Sequence, residues 1–324
     1  MADDDAFSSS PLLKGAFGAV RRLVGAGSPS EVEGQRFFSR AAGATETVEV
    51  GGGSVQLPIH YRRADILTAF FTAGRDAVER LLPDGLHPVN MGRDRTQLAI
   101  SGANYLDSTL GPYGEVAITV PCTHGRRAPA IVSAALQTLF PGFGYFVIHL
   151  PVTTPLADEL GRSVWGYPKF LADIDFDRTP GHQRVRLAEG GAEILSLSVP
   201  QRGLPVRDDR PWVFYATRDT DLLRVTTPCR SIYQVLPGGP GVRLQLGDHR
   251  IAAQLRRLRL STRPLFSLNY LYYASVLPAG EIVDEVDRPY LGYRPGERDL
   301  VGRVGAETPI TGEPAPGQAP VIWK

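Results

Sequence analysis

The sequence is poor in cysteine, in long apolar runs and in blocks of like charge, and each scarcity excludes a class of protein. Two cysteines among 324 residues, Cys122 and Cys229, cannot form a disulfide framework, which indicates a reducing compartment. No apolar run approaches the roughly 18 residues of a membrane-spanning helix, and residues 1–10 are too acidic for a secretory leader. The formal net charge is +1 without a basic block, which argues against a nucleic-acid partner. We therefore expect a cytoplasmic protein.

Familiar cofactor and metal motifs are also missing. The six histidines are scattered, without a paired-ligand spacing or a nearby cysteine pair, so the sequence predicts no metal site. It contains no phosphate-binding glycine loop of the P-loop or Rossmann type and no G-x-S-x-G nucleophile elbow. We therefore expect chemistry that needs no cofactor.

Glycine and proline are abundant, with 35 and 27 residues, and they separate short alternating apolar segments. Ten or so such segments and few helices predict a mainly β fold with a closed, barrel-like, mostly antiparallel sheet. One helix is predicted at residues 72–82 with Thr72 as its N-cap, and another from Thr154 and Pro155 to between Gly161 and Gly166.

Three parts of the chain differ in composition. Residues 1–43 form an N-terminal extension, with an amphipathic helix predicted at residues 11–26 and a linker at 27–43. Residues 44–286 form the β domain, and residues 287–324 a Pro/Gly-rich tail. The basic helix at 11–26 could lie on a membrane, but docking on its own domain or on a neighbouring subunit is the commoner use of such a helix.

Lysine is the scarcest charged residue. Of the 35 basic residues only three are lysines, Lys14, Lys169 and Lys324, which leaves 32 arginines. Lys169 lies in an aromatic run with Trp165 and Phe170 close by, where a surface charge is not expected. An amphipathic stem that carries its ammonium group to solvent is the alternative interpretation.

A buried lysine supports one chemistry well. Burial disfavours the ammonium form of a lysine, and a neutral amine adds to a ketone or aldehyde and loses water to give a protonated imine. That imine accepts electrons from the neighbouring carbon, which makes decarboxylation of a β-keto acid, aldol cleavage and dehydration feasible. Lys169 is therefore the candidate nucleophile.

The stretch GRSVWGYPKF at residues 161–170 resembles the signature of the acetoacetate decarboxylase superfamily. In that signature Gly-Arg-Glu is followed, at the same spacing, by Tyr/Phe-Pro-Lys-Lys, whose first lysine forms the Schiff base. The segment TLGPYGE at residues 109–115 resembles the family segment that carries an active-site glutamate. Residues 242–249 and 276–283 resemble two late strands of the family, and the resemblance covers about residues 60–283.

The resemblance implies roles for individual residues. Lys169 falls on the Schiff-base lysine, and Glu115 on a glutamate that orients the substrate or moves a proton near the imine. After a one-residue gap, Arg63 falls on an arginine that would hold a carboxylate. On the sequence alone, Glu115 could equally be an exposed charge at a strand start, and Arg63 a surface arginine beside Arg62. Three aromatic residues are expected to line the substrate pocket: Trp165, Tyr167 and Phe170.

The sequence departs from the family at three positions. The second lysine of the signature is Phe170 here, its glutamate is Ser163, and a second pocket glutamate near Ser101 has no counterpart. The resemblance still implies a homo-oligomeric, cofactor-free lyase whose Lys169 forms an imine with a keto acid, but it leaves acetoacetate in doubt as the substrate. The alternatives are an aldolase-dehydratase of the same superfamily and a non-catalytic barrel that binds a small molecule.

Overall fold

The computed structural model describes residues 31–41, 43–51, 53–129 and 140–295, so the predicted helix at 11–26 and most of the tail lie outside the described residues. The four helices of the described chain are α1 (Glu31–Ala41), α2 (Arg75–Glu79), α3 (Pro155–Trp165) and α4 (Arg250–Arg257). Its strands are β1 (Glu46–Val50), β2 (Gly53–Leu57), β3 (Ile59–Gly74), β4 (Leu86–Pro88), β5 (Arg95–Ser108), β6 (Tyr113–His124), β7 (Phe143–His149), β8 (Asp173–Thr179), β9 (His182–Glu189), β10 (Ala192–Pro200), β11 (Leu204–Asp208), β12 (Trp212–Arg218), β13 (Asp221–Thr227), β14 (Cys229–Pro237), β15 (Arg243–Leu246), β16 (Phe266–Leu277) and β17 (Glu281–Glu285).

Most strands belong to one large sheet. Its eleven strands follow the order β11-β14-β16-β3-β5-β6-β7-β12-β13-β17, with β4 paired beside β6. A second sheet has the order β15-β10-β9-β8, and β1 and β2 form a separate hairpin. Strand β12 pairs with β7 in parallel, and the other named strand pairs of the described chain are antiparallel. The mainly β, mostly antiparallel prediction is therefore confirmed.

The predicted closure of the sheet into a barrel is wrong. Strands β11 and β17 stand at the two ends of the large sheet, and no sheet closes on itself within the described residues. Alternating apolar residues specify which face of a strand is buried, but closure depends on whether the two end strands reach each other. Here the sheet curves around a cavity of about 970 Å³ and remains open.

The two faces of the large sheet have different partners. On β5, Ala99 and Ala103 face the cavity, whereas Leu98 and Ile100 face the opposite core. That opposite core packs against the four-stranded sheet, for example Val185, and against helix α4. Because both faces are covered, the central strands β5, β6 and β7 are buried along most of their length.

Two local expectations are wrong for reasons of packing. Helix α1 occupies most of the predicted linker, and it packs through Phe38, whose ring lies 5.3 Å from the His60 ring. Helix α2 has Gly74 rather than Thr72 as its N-cap, because β3 continues through Thr72 in register with β5. None of the helices in the described ranges is long and apolar enough to cross a bilayer.

His149, the last residue of β7, gives the fold a pH-dependent stability. Its side chain is buried, Nε2 lies 2.6 Å from Gln254 Oε1 on α4, and burial lowers the pKa of His149 to about 4. The unfolded chain therefore binds more protons than the folded chain between about pH 4 and pH 6.5, and stability is lost as the pH falls through that window. We expect the free energy of unfolding to fall by about 2 kcal/mol from this residue between pH 7 and pH 5.

Urea denaturation of wild type and His149→Gln at both pH values tests this expectation. The variant should lose that part of the pH dependence, while His182→Gln, at an exposed histidine, should retain it. An unchanged pH dependence in His149→Gln would show that other groups cause the acid destabilisation.

Candidate active site

Helix α3 and the turn after it position Lys169. The helix has Thr154 as N-cap and Pro155 in its first turn, as predicted, and it ends at Gly166 in the left-handed conformation with φ +64°. The Tyr167 N–H then donates to the Gly161 carbonyl, which turns the chain back towards the helix. A Cβ atom at residue 166 would lie 2.4 Å from the Thr217 carbonyl oxygen, so the turn needs glycine for space as well as conformation.

The segment after this turn lies beside the chain that follows β7. The Leu150 N–H donates to the Pro168 carbonyl, and the Val152 N–H donates to the Phe170 carbonyl. Successive side chains of such an extended segment point to opposite sides. Lys169 therefore enters the cavity, while Phe170 is buried in the opposite core against Tyr293.

Gly161 leaves room for the lysine stem. A Cβ atom added at Gly161 would lie 2.3 Å from Lys169 Cδ and 2.5 Å from Lys169 Cε. Real Cβ atoms do not approach so closely, so any larger residue here would displace the amine. The glycine of the signature is therefore needed because it leaves space for the lysine side chain.

We expect Gly161→Ala to lower imine formation by Lys169 at least about tenfold, because a displacement near 1 Å at a reacting atom can cost two orders of magnitude. Trapping of the imine with borohydride, counted by mass, measures the effect. Gly34→Ala is the matched control, since Gly34 is also helical and an added Cβ there meets nothing within 4 Å. Equal trapping in both variants would contradict the role given to Gly161.

Lys169 and Glu115 form a buried pair. The Lys169 Nζ donates to Glu115 Oε2 at 2.9 Å, and the two residues are 5% and 9% exposed. Glu115 is held on β6 opposite Ala103 of β5 and bridges to Val152 on its other side. Lys169 and Glu115, the two catalytic residues suggested by the sequence, are therefore in direct contact.

Tyrosines surround this pair. The Tyr105 hydroxyl donates to Glu115 Oε1 at 3.2 Å, and Lys169 Nζ lies 5.7 Å from the centroid of the Tyr113 ring. Tyr61 Oη and Tyr113 Oη are 2.8 Å apart. Burial, together with the Glu115 charge, raises the pKa of Tyr105 well above its usual value. Burial and, to a smaller extent, the neighbouring Tyr61 also raise the pKa of Tyr113. These phenols therefore stay neutral at physiological pH, and Tyr105 lines the cavity beside Glu115.

Asp158 adds a second carboxyl group behind the lysine. It is half-buried in the first turn of α3, and burial raises its pKa while Arg162 and Lys169 lower it. Its Oδ1 is buried without a hydrogen-bond partner among the described residues. No local pattern in the sequence connects Asp158 with Lys169.

The structure brings three of the six predicted site residues to the cavity wall: Lys169, Glu115 and Tyr167. Trp165 is buried beside the cavity wall instead, where it stacks on Tyr167 and donates its Nε1–H to the Pro278 carbonyl at 2.8 Å. Phe170 faces the opposite core. The expectation that Trp165 and Phe170 line the pocket is therefore wrong in position.

Arg63 is exposed and does not reach the cavity. The ladder between β3 and β5 shifts register on both sides of Arg63, between Tyr61 and Ala64. Because of these irregularities Tyr61 faces the cavity, whereas Arg63 faces solvent. A carboxylate held beside Lys169 by Arg63, as the sequence predicted, does not fit this arrangement.

The opposite wall of the cavity carries a second ion pair. Arg210 Nε donates to Asp208 Oδ1 at 2.7 Å, and the Tyr233 hydroxyl donates to Asp208 Oδ2 at 2.9 Å. The hydrogen bonds and charge of Arg210 outweigh burial and lower the pKa of Asp208. Asp208 and Arg210 are only two positions apart, but Tyr233 of β14 joins them from 25 positions along the chain, and no local pattern in the sequence predicts this group. The described residues contain no group of three or more His, Cys, Asp or Glu side chains that could hold a metal ion.

Comparison with known proteins gives one family and several similar folds. A model of the acetoacetate decarboxylase family matches residues 48–285. The solved acetoacetate decarboxylase of Legionella pneumophila subsp. pneumophila str. Philadelphia 1 is similar in fold, with 17% identity, a TM-score of 0.54, and coverage of 81% of this chain and 99% of that one. A second solved structure of an acetoacetate decarboxylase has 17% identity and a TM-score of 0.52, and the match covers 71% of this chain and 90% of that one.

A third similar structure is that of a biosynthetic enzyme. It is the enduracididine biosynthesis enzyme MppR complexed with pyruvate, with 16% identity, a TM-score of 0.52, and coverage of 71% of this chain and 91% of that one. At these identities the likeness concerns the fold. A search of curated proteins gave no match.

Proposed function

Because the chain belongs to the acetoacetate decarboxylase family, we propose that it is a Schiff-base enzyme whose Lys169 amine forms an imine with a keto acid. A carbon–carbon or carbon–oxygen bond of the substrate then breaks, and decarboxylation is the first reaction to consider. The observation that carries the proposal is the position of Lys169, buried on the cavity wall with Nζ 2.9 Å from Glu115 Oε2. The other two lysines lie at residues 14 and 324, outside the described residues.

The buried pair suits the first step. A proton that moves along the Lys169–Glu115 hydrogen bond leaves a neutral amine and a carboxylic acid, without changing the net charge of the pair. The amine attacks the ketone carbon, and the protonated carboxyl group can then supply the proton with which the carbinolamine oxygen leaves as water. The neutral phenol of Tyr105, which donates to Glu115, can keep that carboxyl group in position.

The imine then accepts the electrons of the breaking bond. In a β-keto acid the carbon–carbon bond to the carboxylate breaks, carbon dioxide leaves, and the electron pair moves to form an enamine. Protonation of the enamine carbon and addition of water return the free lysine and a ketone, so the water lost on imine formation is regained. The carboxylate that leaves would lie in a desolvated site beside Glu115, where like charge and burial both favour its loss as a neutral gas.

The same imine also supports aldol cleavage or dehydration. One feature of the cavity favours this second candidate function. Ser101 stands where the resemblance suggests a second carboxylate, and its hydroxyl lies 2.9 Å from the Thr68 hydroxyl on the cavity wall. Ser163, the other replaced glutamate, is exposed on α3. A site with fewer carboxylates differs in charge from one built for acetoacetate.

We expect the purified protein to release little or no acetone from acetoacetate while it forms an imine with another 2- or 3-keto acid. A panel of keto acids, analysed for carbon dioxide, for product mass and for borohydride-trapped protein, distinguishes decarboxylation from aldol and dehydration chemistry. Rapid acetone release would show that the serine at position 101 of the cavity wall does not alter substrate choice. A protein that binds members of the panel but traps none would instead be a binding protein.

A further inference from the structure

The cavity is long, and Lys169 lies at its buried end. Glu115 pairs with Ala103 on β5, and β5 begins eight residues earlier at Arg95, which also lines the cavity. At about 3.3 Å per residue, the wall between these two levels has a contour length of about 26 Å. The residues around Glu115 are buried, whereas Arg93, Thr262 and Leu204 on the Arg95 side are exposed. The mouth is therefore remote from the amine.

The wall between the two ends is largely apolar. Inward residues of neighbouring strands follow one another in register, for example Phe70 opposite Ala99 and Thr68 opposite Ser101. Along the length of the cavity the apolar lining includes Ile66, Phe70, Ala99, Ala117, Val147 and Leu268. Such a surface favours a substrate body made of methylene groups or rings.

Charge is distributed unevenly along the cavity. Its lining within the described residues contains two carboxylates, Glu115 and Asp208, and each is paired with a cation, Lys169 and Arg210. The other lining cations are Arg93, Arg95 and Arg263, which all lie at or near the mouth, and the Arg95 guanidinium group also donates to Thr72. The mouth is therefore positive, and guanidinium groups match carboxylates in geometry as well as in charge.

The size of the cavity excludes a small acid as a complete fit. A cavity of about 970 Å³ lies at the upper end of the range of about 300–1,000 Å³ that holds drug-sized ligands. A four-carbon acid would leave most of this space to water. Such water would weaken the exclusion of solvent on which imine chemistry at Lys169 depends.

We propose that the substrate of the Lys169 site is an elongated, mainly apolar ketone with a carboxylate at its far end, which Arg93, Arg95 and Arg263 bind at the mouth. The ketone lies at Lys169 and the chain follows the apolar wall outwards. This inference rests on the proposed imine chemistry and adds a substrate class to it. The far carboxylate is separate from any group that leaves at the imine.

Methyl ketones test the proposal, because they form imines but have no adjacent carboxylate to lose. The probes are levulinate with five carbons, a sixteen-carbon methyl ketone with a terminal carboxylate, and the same long ketone with a terminal alcohol. Borohydride trapping at increasing probe concentration gives a half-maximal concentration for each. We expect the long acid to trap at a concentration at least about tenfold below that of levulinate, since it buries many more methylene groups.

Two double variants distinguish the effect of losing arginines at the mouth from the effect of losing positive charge elsewhere on the protein. Arg93→Gln/Arg263→Gln should raise the half-maximal concentration of the long acid by about three- to tenfold, as expected for exposed ion pairs, and leave the long alcohol unchanged. Arg62→Gln/Arg178→Gln is the control, because those arginines are exposed and pair with Asp107 and Asp65 outside the cavity. The role of the mouth arginines would be overturned if both double variants raised the half-maximal concentration of the long acid equally. It would also be overturned if Arg93→Gln/Arg263→Gln affected the long acid and the long alcohol equally.

The outcomes also distinguish the two proposals. Levulinate that traps as well as the long acid would overturn the elongated substrate but preserve the imine chemistry. If no ketone is trapped, calorimetric titration with the long acid distinguishes the two proposals. Binding that weakens in Arg93→Gln/Arg263→Gln supports the substrate class and rejects the imine. Absence of binding by the long acid rejects the substrate class.

Discussion

Lys169→Met should lose all trappable imine and all turnover, the largest effect that we expect from a single substitution. Methionine keeps an unbranched stem of similar length in the path beside Gly161, but it has no amine. Borohydride trapping and product release with the same keto acid measure the loss. Lys14→Arg, which removes another of the three lysines, should behave as wild type.

The same substitution tests the stability of the buried pair. Loss of one partner of a buried ion pair typically costs about 3–5 kcal/mol, because the remaining charge has no counter-ion. We expect this cost in Lys169→Met and its partial recovery in Lys169→Met/Glu115→Gln, where Glu115 no longer carries a charge. A folded double variant that still forms an imine would contradict the assignment of the nucleophile.

Glu115→Gln should lower kcat by about 10²–10⁴-fold, the range typical of general acid–base catalysis. The amide keeps the shape of the side chain and a hydrogen bond to Tyr105, but it cannot take up or return a proton. Since Lys169 remains, slow imine trapping should persist while turnover collapses. Steady-state kinetics measured beside the trapping rate separate the two effects.

Tyr105→Phe is the matched control for this prediction. It removes the 3.2 Å hydrogen bond to Glu115 without touching either member of the pair, and we expect a much smaller loss. If Glu115→Gln and Tyr105→Phe have equal small effects, Glu115 only positions the lysine. If Glu115→Gln raises KM alone, the glutamate binds substrate and moves no proton.

The contact between Lys169 and Glu115 follows from signals that the sequence contains. The scarcity of lysine, the aromatic run and two matched segments single out both residues, although 54 positions separate them. The start of α3 at Pro155 also follows from a local rule, since Thr and Pro favour the first positions of a helix.

The errors have long-range causes. The sequence shows no sign of the register shifts on either side of Arg63 that leave it exposed. The aromatic run around Lys169 suggests Phe170 as a pocket residue, yet neighbouring residues of an extended segment face opposite sides. The tyrosines around Glu115 come from separate strands, so only the folded sheet reveals them as a group. Sheet closure likewise depends on end strands that no local pattern describes.

The homo-oligomer and the cytoplasmic location implied by the sequence remain predictions. Light scattering coupled to size-exclusion chromatography tests the first of them directly. A mass that corresponds to a single 35.2 kDa chain at micromolar concentration would contradict it.

The central claim is that Lys169 is the Schiff-base nucleophile, and one measurement tests it most directly. Wild-type protein is incubated with a keto acid at neutral pH, reduced with borohydride, digested and mapped by mass spectrometry. We expect the added mass on the peptide that contains Lys169, in a ratio of about one per chain, with Lys14 and Lys324 unmodified. Added mass at Lys14 or Lys324 with none at Lys169 would contradict it.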